Sequence, residues 1–177
     1  MFDIFPNEEQ LNYAKQIVDH YNFGHRGYGD GNKRMQEVGI LGQVCLADLL
    51  NEERPTGEKG FDGGFDFIIN NKKVDVKTMG RTVDIKEHYV HNFVEYQLKY
   101  SCDFYIFLSY NYKNNKLTVC GTVSKSTFKE KAILYKLGDV RVRDDGTTFL
   151  TRTPMFEIFQ HDLIPINSLS DIYKIIK

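Results

Sequence analysis

Hydrophobic positions along this chain repeat first with the period of a helix and then mostly with that of a strand. From Asn7, the stretch NEEQLNYAKQIVDHY sets Leu11, Ala14, Ile17, Val18 and Tyr21 three or four residues apart, the spacing of one helix face. Asn7 followed by Gln10 supplies a capping pair at its start. FGHRGYGDGN, from Phe23 to Asn32, holds four glycines with His25, Arg26 and Asp30, too much glycine for a helix, and reads as a loop. Helical periodicity returns from Lys33 to Leu50 through Met35, Val38, Leu41, Val44 or Cys45, and Leu49. Gly39 and Gly42 weaken that helix but permit close packing against another backbone.

After the polar, glycine-rich connection NEERPTGEKGFDGG, the pattern becomes extended. GGFDFIINNKKVDVKT, Gly63 to Thr78, reads as two short strands around Asn70-Asn71. Val83 to Val90 is expected to be extended and Asn92 to Tyr100 to be a short helix. CDFYIFLSY is almost continuously apolar, as a strand covered on both faces must be, and KLTVCGTVS is a second strand. SKSTFKEKAILYKLG predicts a helix from a Ser cap to Gly138, and VRVRDDGTTFLTR a hairpin around Asp145-Gly146. MFEIFQHDLIPINSLSDIYKII supplies a last strand and a short closing helix. Helices, then strands, then a helix and more strands imply an α/β or α+β fold with a mixed sheet. A length of 177 residues fits one domain, with the first helix and the Gly-rich loop (1–32) preceding its core.

A formal net charge of −1 leaves a local basic groove possible and gives no global attraction to nucleic acid. Cys45, Cys102 and Cys120 lie far apart in apolar segments, which implies buried free thiols in a reducing compartment. MFDIFPNEEQ lacks a basic start with an apolar core, and no apolar run approaches the roughly 20 residues of a membrane span. A cytoplasmic protein without membrane partners is the expectation. HRGYGDGN lacks the Gly-Lys-Ser/Thr ending of a phosphate-binding P-loop, and His88 and His91 lack Cys or carboxylate partners at metal spacing.

The chemistry lies in the first hairpin. With Asn70-Asn71 as a two-residue turn, residues whose numbers sum to 141 face one another, so Asp66 opposes Asp75. Opposed residues have Cβ atoms about 4.5–5.5 Å apart, close enough for both carboxylates to reach one hard cation. Lys77 shares the face of Asp75, while Val74 and Val76 point into packing. Two carboxylates this close repel, and Mg²⁺, or Mn²⁺ as its substitute, makes both ionised forms favourable. Such an ion binds a phosphate oxygen and acidifies a bound water, while Lys77 positions or deprotonates that water and also holds the phosphate. Phosphodiester hydrolysis follows in outline.

At these residues the chain resembles the PD-(D/E)XK superfamily of restriction-endonuclease-like nucleases, in particular its small phage and bacterial members. The resemblance runs from about Val38 to Leu169 through GILGQ (Gly39 to Gln43), GFD (Gly64 to Asp66), DVKT (Asp75 to Thr78), DFYIFLSY (Asp103 to Tyr110) and GTVSK (Gly121 to Lys125). It implies a restriction-endonuclease-like core, a central mixed sheet flanked by helices. It implies Asp66, Asp75 and the Val76 carbonyl as metal ligands and Lys77 as the catalytic lysine. It further implies Mg²⁺-dependent cleavage of DNA to a 5′ phosphate and a 3′ hydroxyl. A helix acid is expected where this chain has Gln43, which ligates a hard cation weakly and could hold a metal-bound water. Glu37, six residues earlier, lies roughly 120° around the helix from Gln43. Lys33, Arg34, Thr78, Arg81 and Lys99 are candidate contacts to double-stranded DNA, and one site per domain against two strands implies a homodimer. Two other readings stand beside this one: a nuclease fold that binds nucleic acid without cutting it, and a protein-interaction module.

Overall fold

A computed structural model describes residues 1–21, 32–58, 64–142 and 146–177. Helix α1, Glu8–His20, begins as its sequence predicts: the Asn7 side chain accepts from the Gln10 N–H, and the Gln10 side chain accepts from the Asn7 N–H. Helix α2, Lys33–Leu50, is capped by Asn32 and closed by Asn51, whose φ of 58° is a left-handed stop. Strands β2, Phe67–Ile69, and β3, Lys72–Arg81, pair antiparallel in the expected register, with Phe67 opposite Val74 and Ile69 opposite Lys72. Asn70 and Asn71 carry φ of 50° and 63°, the two positive values that a tight hairpin of this twist needs.

Among the described residues ten strands and four α-helices make a mixed α+β structure. Its main sheet has the order β1-β6-β5-β3-β2, with β1 at Phe2–Ile4, β5 at Phe104–Asn111 and β6 at Lys116–Ser124. β3 and β5 run parallel and the other pairs antiparallel, so the sheet is mixed. β5 holds the centre because both its faces are covered. Ile106 and Leu108 pack with Val74, Val76 and the α1–α2 side, where Ile172 of α4, Leu169–Ile175, completes the cluster. Tyr105 and Phe107 face a second cluster with Phe93, Phe128 and Ile158. That cluster is supplied by α3, Lys125–Lys131, and by a smaller sheet of order β4-β10-β7, built from Val90–Val94, Met155–Phe159 and Ile133–Tyr135. Strands β8, Val140–Val142, and β9, Thr148–Leu150, form a separate hairpin.

Several local expectations change. The helix expected up to Gly138 stops at Lys131, because Ile133–Tyr135 are held by hydrogen bonds to β10 and Gly138, at φ 87°, turns the chain towards β8. Residues 92–94 lie in β4 rather than in a helix, since they pair with Met155–Glu157, and only Glu95–Lys99 turns, as a 3₁₀ segment. Between Arg81 and Val90 the chain is irregular instead of extended. β1 was not expected; it forms by pairing with β6. The predicted β8–β9 hairpin is present, with Arg141 opposite Phe149, although Asp145 of its turn lies outside the described residues. His25, Arg26 and nearly all of the Phe23–Asn32 loop also lie outside them. The three cysteines are buried and unpaired, and burial pushes each thiol up to about 12. Among the described residues no helix is long and apolar enough to cross a membrane.

Candidate active site

The site forms where β2 has ended and β3 continues without it. Asp66 immediately precedes β2, and its N–H donates to the Val74 carbonyl at 2.8 Å, which fixes it against the edge of β3. Its Oδ2 accepts from the Val76 N–H at 2.6 Å and its Oδ1 from Gln43 Nε2 at 2.8 Å. Within a strand the N–H and C=O of one residue leave the same edge, so the Val76 carbonyl emerges on the side occupied by Asp66. Asp75, buried, receives Lys77 Nζ at both oxygens, at 2.9 and 2.8 Å.

Alternation along β3 produces this arrangement. Val74 and Val76 enter the core towards α2, while Asp75 and Lys77 point to the other face, where Lys77 Nζ lies 5.4 Å from the centre of the Phe93 ring. Gln43 reaches Asp66 from the helix side. Asp66 at the strand edge therefore joins the two faces, and Asp66, Asp75, Lys77 and Gln43 share one location. Desolvation, the largest influence on Lys77, lowers its pKa, yet the Asp75 and Asp66 charges together hold it above the ordinary lysine value. Lys77 is thus an ammonium that partly neutralises the two acids.

Close approach of α2 to β3 depends on Gly42. A Cβ there would lie 1.9 Å from Thr78 Oγ1, so no larger residue fits without displacement. This is the close packing expected of a helical glycine, and it sets Gln43 at the height of Asp66. Gly39 has nothing within 4 Å of an added Cβ and serves no such purpose. Glu37 points elsewhere and lines a hollow of about 200 Å³ between α1, α2 and the end of β5.

The candidate nucleic-acid contacts are not gathered at this point. Lys33 pairs with Asp19 and the Arg34 guanidinium stacks 3.9 Å over the Tyr112 ring, both about 14–15 Å along α2 from Gln43. Arg81 donates to the Val90 carbonyl at 2.5 Å and packs on Tyr89, so it ties β3 to β4. Thr78 Oγ1 is buried against Gly42 without a hydrogen-bond partner. Lys99 is exposed, with its Nζ 5.5 Å from the centre of the Tyr100 ring. His91 is buried and neutral, with its pKa lowered to about 4 by desolvation and Nε2 2.7 Å from Gln160 Oε1; His88 packs on Tyr89.

Sequence reasoning missed three supports of the site. Gly64, at φ 91°, lets the chain pass under Tyr100, whose Cβ would lie 2.2 Å from a Cβ at that position. Lys125 Nζ holds the Tyr100 carbonyl at 2.5 Å. Phe93 backs Lys77. Glycine before Asp66 and Lys125 in GTVSK were visible signals; Phe93 had none, because only the packing of the two sheets brings it there.

The donor types suit a hard divalent cation: the Asp66 carboxylate and the Val76 carbonyl at the edge of β3 and the buried Asp75 carboxylate on the adjoining face, with oxygen lone pairs left over after the hydrogen bonds described. Among the described residues no group of three or more His, Cys, Asp or Glu side chains converges as a metal site, and the side chain that meets Asp66 from α2 is the amide of Gln43. Comparison with known proteins yields no match, whether to a family model, a curated protein or a solved structure.

Proposed function

We propose that this chain is a metal-dependent endonuclease that hydrolyses DNA phosphodiester bonds on a restriction-endonuclease-like core. The observation that carries the reading is the convergence of Asp66, Asp75 and Lys77 at the free edge of β3, with Gln43 bonded to Asp66. Asp66, Asp75 and the Val76 carbonyl would hold Mg²⁺ or Mn²⁺, which would supply a Lewis acid for the phosphate and a more acidic water. Val76 N–H and Gln43 orient the Asp66 carboxylate. Lys77, cationic beside Asp75, is placed to bind a phosphate oxygen and to stabilise charge that builds up on it. Products with a 5′ phosphate and a 3′ hydroxyl and a DNA substrate follow from the resemblance; one site per domain against the two strands of a duplex favours a homodimer as working form, and buried free thiols favour the cytoplasm as location.

The test is plasmid nicking with Mg²⁺ and with Mn²⁺. Wild type cuts, and Asp66→Ala, Asp75→Ala and Lys77→Ala do not; equal products from wild type and Asp75→Ala would sink the catalytic reading. A second reading rests on one observation, the amide of Gln43 donating to Asp66 where an acid is expected: a fold that binds nucleic acid without cutting it. Wild type that shifts a labelled duplex at low salt and cleaves it with neither cation favours this alternative.

A further inference from the structure

The β8–β9 hairpin wears its polarity inside out. Strands alternate between faces, so Arg141 and Phe149, directly paired, share one face, while Val140, Val142 and Leu150 share the other. The charged residue is the covered one. Arg141 pairs with Glu157 at the centre of β10 and lies over the Tyr135 and Phe149 rings, 4.7 and 5.8 Å from their centres. The apolar residues are the bare ones: Val140 is 62% exposed, Val142 60%, Leu150 61% and the neighbouring Leu137 63%.

A hairpin on a soluble surface normally turns its polar face to water, and an isolated two-stranded sheet is marginal without cover. Among the described residues β8 and β9 join no third strand. Leu137 and Leu150 also line a shallow hollow with Phe149, Thr151 and Met155.

We propose that this face binds the same face of a second copy of the chain about a two-fold axis. Area supports that occupant. The four residues leave on the order of 450 Å² uncovered, within the range of the largest patch on a monomer and more than half of the roughly 800 Å² that each partner contributes to a stable interface. Charge supports it too. The bare strand face carries no ionised side chain among the described residues, and Arg152 is the single charged residue lining the hollow beside it, so phosphate or a charged peptide finds little to pair with. Its surround mixes signs, Asp139 with Lys136 and Arg152, and a two-fold axis can set acid against base across such a rim. Two apolar sheet faces then stack about 10 Å apart, as in a sandwich. The contact is independent of the nuclease reading, although a nuclease that cuts both strands would use it.

Sedimentation velocity from 1 to 100 µM tests the proposal, with circular dichroism as a check on folding. Wild type sediments as a dimer. Val140→Lys and Leu150→Lys raise the dissociation constant roughly a hundredfold, whereas Met35→Lys, at an exposed apolar position of α2, leaves it unchanged. Leu137→Lys lies outside every strand, so it weakens the dimer without touching the ladder even if a strand variant unfolds. A wild type monomeric at 100 µM overturns the proposal, as does a dimer that Leu137→Lys leaves intact.

Discussion

Lys77→Met keeps the length and apolar stem of the side chain and deletes the charge that Asp75 faces. The pair it breaks is mostly enclosed, with side-chain exposures of 22% for Lys77 and 11% for Asp75. Removing one partner of a buried pair costs about 3–5 kcal/mol, while an exposed pair is worth about 0–1. Solvent still reaches the ammonium, so the cost here falls between those limits, at roughly 2 kcal/mol at neutral pH. For a chain of this size about 1 kcal/mol moves Tm by roughly 2–4 °C, which puts the variant roughly 4–8 °C below wild type. Most of that cost is the stranded carboxylate, so Asp75→Asn added to Lys77→Met recovers much of the loss. Urea and thermal unfolding of the wild type, both single variants and the double variant, all in EDTA, measure the coupling directly. Under the nuclease reading proposed above, plasmid cleavage by the same four proteins separates the roles: stability returns in the double variant and cleavage does not. The reasoning is refuted if Lys77→Met costs under about 0.5 kcal/mol, the level of an ordinary surface change, or if the double variant is no more stable than Lys77→Met.

Three further outcomes follow from the geometry. Gly42→Ala should gain about 1 kcal/mol in helix propensity but lose about 1–3 to the clash with Thr78, leaving a net loss of up to about 2 kcal/mol that Thr78→Ala relieves in part; a higher urea midpoint for Gly42→Ala would contradict the packing. Gln43→Glu sets a carboxylate against Asp66, so it should melt a few degrees lower than wild type in EDTA and gain more than wild type from Mg²⁺; equal gains would place the helix position outside the metal's reach. His91, whose pKa is lowered to about 4 in the fold, takes up a proton more readily unfolded than folded, so wild type loses stability as pH falls from about 6.5 towards 4; His91→Gln should flatten that decline in urea unfolding across the same range.

Much of the hairpin was legible because its determinants are local. Asn70-Asn71 tolerates positive φ, the turn fixes the register, and a period of two then puts Asp75 and Lys77 on one face and Val74 and Val76 on the other. The start of α1 was legible for the same reason, since Asn7 caps within its own first turn, whereas α2 was placed by its returning helical period and the structure adds Asn32 as its cap. What failed were segments whose neighbours are distant in sequence. Ile133–Tyr135 continues a helical pattern in sequence but pairs with β10 some twenty residues on, and backbone hydrogen bonds to a packed strand outweigh a few tenths of a kcal/mol per residue of helix propensity. Arg81 reads as a surface cation on the strand of the site, and only the arrival of β4 turns it into a strut to the Val90 carbonyl.

By itself, then, the sequence determined the turn, the register and the alternation that bring Asp66, Asp75 and Lys77 together, because those follow from φ preferences and strand periodicity within sixteen residues. Tertiary structure alone decided what surrounds them. Gln43 meets Asp66 because Gly42 lets α2 sink onto Thr78, Phe93 backs Lys77 because a second sheet packs on β5, and Asn70 is anchored by the Tyr173 and Ile176 carbonyls at the end of α4, each at 2.9 Å. Each of these contacts joins residues 16 or more positions apart, where no local preference reaches and the packing of whole elements chooses the partner.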